Sequence, residues 1–375
     1  MNLKRFDDFF LLNRKGKLTA LDGIRGWAVF MVFMLHFAPA ARVYFGEESQ
    51  WRVGLQTVHK FFAYTPFFGT NGGNLGVDLL FILSGLLIFG SLHNRKQRFS
   101  SFILRRYQRL LPAHLVVIMS SLTVTSFLGI ITNVFFLALF FPTLGNVNFV
   151  TWALSYELLF YIICGLWFIN GSKYKSLQTW RFLFVASIIF LVTHKPISDS
   201  LSAVSMQYVE RDRFIAFFLG LGLGKAYFEK KIVNKKISLL FQKMALPALI
   251  GMALVKLLWD HPIFSIFAPF DRTLQFALFD ICSVFVLGSI LFTSNSMIHR
   301  IFNAKPLRIL GAVSYSFFLS HAIWGVGIGA RISDFILPGG GGFKIILYFI
   351  VTVLTTFIIS TFMFHFLEKP YYAKK

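Results

Sequence analysis

Charged residues are scarce in this sequence, and acidic residues are the scarcest. Only 14% of the 375 residues are charged, and 16 Asp and Glu stand against 37 Lys and Arg. A soluble domain usually carries about a quarter charged residues. The shortage of charge, the 56% of hydrophobic residues and the long apolar runs exclude an ordinary soluble protein. They predict an all-α polytopic membrane protein.

Cysteine is also rare, with Cys164 and Cys282 as the only two. Both lie inside apolar runs, so they form neither a disulfide framework nor a metal-ligand spacing. We interpret them as packing residues and expect no metal; an acyl-carrying cysteine is the alternative. A cleaved signal peptide is not indicated either, because the first apolar run is long enough to span a bilayer.

Ten apolar runs approach the roughly 20 residues that a transmembrane helix needs. The predicted spans lie near residues 18–40, 74–92, 105–129, 149–169, 181–194, 212–228, 244–258, 273–293, 308–329 and 343–366. The apolar segment 131–142 is shorter and predicts a re-entrant or interfacial helix. The segment 41–73 is the longest predicted extramembrane connection, where recognition commonly occurs.

The positive charges lie mainly in alternate connections between these runs. Ten spans put both termini on one side, and 27 of the 37 Lys and Arg residues then fall on that side. This bias predicts cytoplasmic termini in the cell (plasma or inner) membrane. It also accounts for most of the net charge of +21 without a nucleic-acid partner. With no linker or internal repeat, residues 1–375 are predicted to form one membrane-embedded domain in the lipid bilayer.

The first run, LDGIRGWAVFMVFMLHF, carries Arg25 near its start and His36 near its end. Eleven residues at about 100° each place the two on one helix face, about 16 Å apart along the axis. Arg25 can be an ordinary anchor at the cytoplasmic interface, and a lone helical histidine is often only a packed residue. One elongated ligand could nevertheless touch both side chains.

Further ionisable residues lie in other predicted spans: Asp78 in GVDLLFILSG, Glu157 in TWALSYELLFY, Asp280, and His321 in SYSFFLSH. Such residues are costly in lipid and usually mark a functional interior. Histidine can take up and return a proton near neutral pH. We therefore interpret His36 as a general base, with Glu157 fixing its tautomer or stabilising its charged form.

The stretch RRYQRLLP supplies Arg105, Arg106 and Arg109. Arg105 and Arg109 are four residues apart and share a helix face. Guanidinium groups bind phosphate oxygens bidentately, which lysine cannot do. Membrane orientation alone explains the cluster equally well, although it is denser than orientation requires.

These motifs resemble the integral-membrane acyltransferase-3 family. LDGIRGWAVFMVFMLHF resembles its opening signature, GVDLLFILSGLLI its second and RRYQRLLP its third, while WALSYELLFY, SYSFFLSHAIW and FLEKPYY are similar to later ones. The resemblance implies acyl transfer from cytoplasmic acyl-CoA, most often acetyl-CoA, to a hydroxyl of a carbohydrate or lipid-linked glycan. It implies a catalytic His36 with Arg25, a cofactor-binding role for Arg105, Arg106 and Arg109, and importance for Asp78 and Glu157.

The sequence departs from the family pattern in two places. Ala153 stands where serine is common, and LSHAIW lacks the usual Trp-His and following proline, which weakens the carry-over to His321. Some members add an extracellular hydrolase-like domain. We expect a stand-alone chain without it, so transfer is direct or needs a separate transferase partner.

The residues by themselves fit this chemistry, because an acyl thioester must meet its hydroxyl away from water. Arginines would hold the phosphates of the donor while His36 deprotonates the hydroxyl. A covalent acyl-enzyme on Ser84, Tyr161 or Ser314 stays open.

A transporter or channel would also need intramembrane charges, but the inverted repeats and paired broken helices typical of transporters are not evident. A membrane protein without chemistry is the third alternative.

Overall fold

The computed structural model describes residues 7–12, 18–45, 72–93, 98–120, 126–137, 144, 147–170, 213–229, 234–259, 261–267, 271–293, 296–338 and 342–373. Within these ranges the regular elements are helices, and no strand occurs. A helix satisfies its backbone N–H and C=O groups internally, which suits an apolar chain in lipid. The predicted span 181–194 lies outside the described residues.

The helices are numbered here in chain order. They are α1 Thr19–Phe45, α2 Leu75–His93, α3 Phe99–Met119, α4 Phe127–Val134, α5 Trp152–Asn170, α6 Phe214–Glu229, α7 Lys235–Leu257, α8 Asp271–Phe292, α9 Met297–Phe302, α10 Lys305–Ala312, α11 Ser314–Ser320, α12 Val326–Ile336, α13 Gly342–Met363 and α14 Lys369–Ala373. Short 3₁₀ segments lie at Phe149–Thr151 and Pro262–Phe267, and π-helical turns at His321–Gly325 and Phe364–Glu368.

Five helical segments of the described chain are long and apolar enough to cross a membrane. They are Thr19–Phe37, Leu75–His93, Lys235–Leu257, Asp271–Phe292 and Phe343–Tyr372. The helices Lys305–Ala312 and Ser314–Ile336 add a sixth if the bent pair is one span. The chain is accordingly a helical, multi-pass membrane protein, and the number of ten spans stays a prediction.

Two predicted spans differ from the observed helices in their bounds. The third, 105–129, is placed too late, because α3 runs from Phe99 to Met119 and the Ser126 side chain accepts from Gly129 N to start α4. The seventh, 244–258, is too short, since α7 begins at Lys235. Helix α3 begins in the stretch FSSFIL, which three arginines separate from the longer apolar run, and α7 begins in a lysine-containing stretch outside its apolar run. The periodicity of hydrophobic residues therefore marks only the apolar part of such a helix.

The ninth predicted span, 308–329, is a broken helix. The segment Lys305–Ala312 and the segment Ser314–Ile336 meet at an angle of 66°. A π-helical turn at His321–Gly325 interrupts the second segment. Sequence hydrophobicity does not reveal such a bend, because the two segments together are apolar enough to cross a membrane.

Two other predictions are tested only in part. The predicted connection 41–73 begins later than expected, because α1 extends to Phe45, and residues 46–71 lie outside the described residues. The predicted short helix at 131–142 corresponds to α4, which has 8 residues and ends at Val134. Most of its remaining length falls outside the described chain.

The described residues fall into two compact units, Met1–Leu80 with Leu240–Lys375, and Phe81–Leu239. In the first unit, glycines bring α1 against α9 and α10. An ideal Cβ on Gly23 would lie 1.7 Å from the Phe302 carbonyl oxygen, and one on Gly26 would lie 2.1 Å from that of Leu307. Side chains at these positions would displace backbone. The glycines of DGIRG thus fix the rotation of α1 and the direction of its polar residues.

Both ends of the described chain contact each other within the first unit. The Lys369 Nζ donates to the carbonyl oxygens of Asp8 at 3.3 Å and Phe9 at 3.1 Å. Lys305 pairs with Asp7 at 2.7 Å. The N-terminal segment 7–12 is therefore held against α10 and α14.

In the second unit, close contacts join the later part of α2 to α5 and α6. An ideal Cβ on Gly85 would lie 2.2 Å from the Phe217 oxygen, and one on Gly220 would lie 2.0 Å from the Ile82 oxygen. The Phe217 ring stacks between those of Phe81 and Phe160, with centroids 4.3 and 4.0 Å away. This packing holds the helices that carry Ser84 and Glu157.

Candidate active site

Helix α1 carries Arg25 and His36 on one continuous helix, as the sequence predicts. Both residues are half-buried. Helix α2 begins against the section of α1 between them, since an ideal Cβ on Gly76 would lie 2.4 Å from the Ala28 oxygen. Asp78 follows two residues later and is completely buried. The first unit therefore gathers two of the predicted catalytic residues on α1 and a third where α2 begins.

His36 and His321 form a direct hydrogen-bonded pair. The His36 Nδ1 lies 2.8 Å from the His321 Nε2, and the ring centroids are 5.0 Å apart. His321 is completely buried, and its ring lies near those of Phe33 and Phe318, at centroid distances of 6.3 and 6.0 Å. The structure thus brings together two histidines that are 285 positions apart in sequence.

The other ring nitrogen of His321 faces backbone oxygens. Its Nδ1 lies 2.8 Å from the Phe318 oxygen and 3.2 Å from the Phe317 oxygen. Since a carbonyl oxygen only accepts, this nitrogen is the donor. His321 is also the first residue of the π-helical turn, a feature that is frequent at functional sites.

Glu157 lies in the second unit and accepts hydrogen bonds from two hydroxyl groups. Ser84 Oγ donates to its Oε1 at 3.0 Å, and the Tyr161 hydroxyl donates to the same oxygen. Tyr161 is nearly completely buried. Two of the three open candidates for a covalent nucleophile, Ser84 and Tyr161, are thus bound to this carboxylate. The predicted support of His36 by Glu157 stays a prediction.

The arginines of α3 belong to the same unit as Glu157. The Arg106 guanidinium lies over the rings of Tyr161, at 5.3 Å, and Phe102, at 5.5 Å, within the range of a cation–π contact. The Arg105 Nη2 is buried and has no hydrogen-bond partner in the described part of the chain. A buried cationic nitrogen of this kind is costly unless an anion pairs with it. Its surroundings therefore fit a negatively charged ligand.

Sequence reasoning missed three features of these groups. It singled out His321 without a role, because nothing local indicates its contact with His36. It left the Tyr161–Glu157 bond unnoticed, although their spacing of four residues predicts a shared helix face. It also overlooked Arg213, which is almost completely buried with its guanidinium 5.0 Å over the Trp152 ring. Among the described residues, no three His, Cys, Asp or Glu side chains could hold a metal ion together.

Comparison with known proteins gives a consistent result over nearly the whole chain. The model of the acyltransferase-3 family, described as an acyltransferase domain, matches residues 18–365. The O-acetyltransferase OatA of Staphylococcus aureus is 25% identical over 94% of this chain and 57% of its own length. The putative peptidoglycan O-acetyltransferase YrhL of Bacillus subtilis is 23% identical over 94% of this chain and 54% of its own.

The chain therefore spans little more than half the length of these curated relatives. No solved structure matches it significantly. The family match covers both compact units and every residue of the two polar groups described above. The chain belongs to the acyltransferase-3 family of membrane proteins.

Proposed function

We propose that the protein is an O-acyltransferase that moves an acyl group, most simply acetyl from acetyl-CoA, to a hydroxyl of a surface polysaccharide. Family membership supports the reaction class. The names of the relatives, O-acetyltransferase and putative peptidoglycan O-acetyltransferase, support acetyl as the group and a cell-wall glycan as the acceptor. A lipid-linked glycan as the alternative acceptor and a separate transferase partner are part of this proposal.

The observation that carries the proposal is the hydrogen-bonded His36 on the helix face of Arg25. In the proposed reaction the acceptor hydroxyl gives its proton to His36 while its oxygen forms a bond to the acyl carbon. The carbon–sulfur bond of the thioester then breaks, and the leaving thiolate takes the proton back from the imidazolium. Arg25 and Asp78 complete the catalytic group.

The donor-binding role belongs to Arg105, Arg106 and Arg109. The Nη2 of Arg105 is buried and has no hydrogen-bond partner among the residues that the structure describes. This supports an anionic group at α3, and the phosphates of CoA have that charge. Arg106 keeps its charge against two aromatic faces, and guanidinium groups suit phosphate oxygens. Glu157 is proposed as a catalytic residue of the same enzyme.

The topology proposed is ten spans in the cell membrane with both termini in the cytoplasm. The excess of Lys and Arg in alternate connections supports it. The contact of Lys369 with the backbone of Asp8 and Phe9 supports the placement of both ends on one side.

The test uses cells that lack the gene and carry either the wild-type protein, His36→Ala or His299→Ala. His299 lies on α9, outside the polar groups, and controls for loss of an imidazole. O-acetyl groups released from surface glycans by mild alkali are quantified by mass spectrometry, and protein amounts by immunoblot. We expect wild-type and His299→Ala cells to acetylate and His36→Ala cells to lose acetylation at equal protein level. Unchanged acetylation in His36→Ala contradicts the proposal.

A further inference from the structure

We propose that His321 is a positioning residue that fixes the tautomer and orientation of His36, so that Nε2 of His36 is the basic nitrogen. This inference rests on the proposed function, in which His36 is the general base. It assigns a role to a residue that the sequence motifs leave without one.

The first step concerns the proton on His321. Its Nδ1 faces the carbonyl oxygens of Phe318 and Phe317, which only accept, so Nδ1 carries the hydrogen. The described partners of the ring are these two oxygens and the His36 nitrogen, and none is an anion. A positive charge on a completely buried ring without an anion is costly. His321 is therefore neutral, and its Nε2 holds a lone pair.

The second step concerns which ring nitrogen of His36 carries the hydrogen. The His321 Nε2 lone pair lies 2.8 Å from the His36 Nδ1. Two lone pairs at that distance repel, so His36 Nδ1 carries a hydrogen and donates it to His321. In a neutral imidazole only one nitrogen is protonated. The lone pair of His36 is then on Nε2, which is the nitrogen that can take a proton from the acceptor.

The third step concerns the charged form of His36. When Nε2 receives the hydroxyl proton, the imidazolium still donates through Nδ1 to His321. A hydrogen bond from a charged donor is shorter and about twice as strong as a neutral one. The chain His36–His321–Phe318 oxygen thus favours proton uptake without placing a second charge in the site. This is the orienting role that a third group performs for the histidine of hydrolytic triads.

The fold supplies the rigidity that such a role requires. Ser320, next to His321, lies 3.0 Å from Ser360 Oγ on α13. An ideal Cβ on Gly325, at the other end of the π-helical turn, would lie 2.0 Å from Thr356 Oγ1 on the same helix. The turn that carries His321 is therefore packed directly against α13.

The direct test is the tautomer of His36 in the wild-type protein, purified in lipid nanodiscs and labelled with ¹⁵N-histidine. Solid-state NMR distinguishes protonated from unprotonated ring nitrogens, and spectra of His36→Ala and His321→Ala assign the two residues. We expect protonated Nδ1 and unprotonated Nε2 in both rings. A protonated Nε2 on neutral His36 overturns the inference without reference to activity.

Kinetics provide the second measurement. His321→Ala is expected to lower kcat by about 10²-fold or more, since general-base catalysis contributes about 10²–10⁴-fold, while the KM values for donor and acceptor stay close to wild type. His321→Gln places an oxygen acceptor near the former Nε2 and should restore most of kcat. Ser289→Ala, at an equally buried serine of α8 outside the polar groups, is the matched control and should keep wild-type kcat.

The outcomes separate the inference from the proposed function. Activity that survives in His36→Ala overturns both. An inactive His36→Ala with a kcat for His321→Ala within about threefold of wild type overturns the positioning role alone. Should His321→Ala fail to accumulate, the tautomer in the wild-type protein decides, with assignment from His36→Ala and from the conservative His321→Gln.

Discussion

The two units stabilise their polar side chains in different ways. The first unit does so in the pair of His36 and His321, and the second around Glu157 and Arg106. His36 and His321 are linked through neutral groups, and the chain of hydrogen bonds ends on the backbone oxygen of Phe318. In the second unit the groups are formally charged. Glu157 accepts from two hydroxyl groups, and Arg106 lies on two aromatic faces.

The difference corresponds to different chemistry. A neutral hydrogen-bonded pair can change its protonation state with little reorganisation, which suits the transfer of a proton. Aromatic faces stabilise a cation without neutralising it, so an arginine held in this way keeps its charge for an anion. The proposed roles fit this difference, with His36 of the first unit transferring a proton and Arg105, Arg106 and Arg109 of the second unit holding an anion.

Glu157→Gln is expected to have the largest effect and tests the proposed difference between the two units. Glutamine keeps an oxygen acceptor for Ser84 and Tyr161 but removes the charge. If Glu157 is a catalytic residue, this substitution should lower kcat by about 10²-fold or more, which is the usual effect of losing an acid–base group. The KM for the donor should change little, because the proposed donor contacts are made by the arginines. Steady-state kinetics in nanodiscs measures both values.

The control for this variant is Glu229→Gln, the same change at the end of α6, where Glu229 pairs with Lys225 at 3.3 Å. It should leave both constants near wild type. A Glu157→Gln protein with normal kcat and a raised donor KM would place Glu157 in the donor-holding group instead.

Neutralising Arg105, Arg106 and Arg109 together to glutamine is expected to have an intermediate effect. If these residues hold the donor in its ground and transition states alike, the donor KM should rise about tenfold or more while kcat changes less. Increasing salt should weaken donor binding in the wild type more than in the variant. Salt screens the attraction between arginine and phosphate, and the variant has already lost that attraction.

The matched variant for the arginine triple is Lys235→Gln with Lys236→Gln and Lys243→Gln. These three lysines on α7 are exposed, and the change in net charge is the same. An equal rise in the donor KM in both triple variants would show that the effect comes from overall charge, and the arginines would then serve orientation only.

Tyr161→Phe is expected to have the smallest effect and separates the role of the Tyr161 hydroxyl from that of its ring. It removes the hydroxyl that donates to Glu157 but keeps the ring beneath Arg106. The net value of one hydrogen bond is about 1 kcal/mol, so kcat and the donor KM should change by about fivefold or less. Complete loss of activity, measured in the same kinetic assay, would contradict this and favour Tyr161 as a covalent nucleophile.

Local patterns were sufficient to predict the helical class, several of the helices that are long enough to cross a membrane, and the position of Arg25 and His36 on one helix. These features depend on hydropathy and on a period of 3.6 residues, which neighbouring residues alone define. The same patterns misplaced the starts of the helices Phe99–Met119 and Lys235–Leu257. The first of these helices begins in FSSFIL, ahead of the arginines that interrupt the apolar run, and the second begins with lysines that carry no apolar signal.

By itself the sequence determined that this chain is a helical membrane protein of the acyltransferase-3 family, because hydropathy, charge bias and the signatures around His36 and Arg105 are written in short segments. Tertiary structure alone decided that His321 meets His36, that Arg106 lies on Tyr161, and that Gly23 and Gly26 set α1 directly on backbone. These contacts join distant segments through close packing. No local pattern around these residues identifies the distant residue that each one contacts.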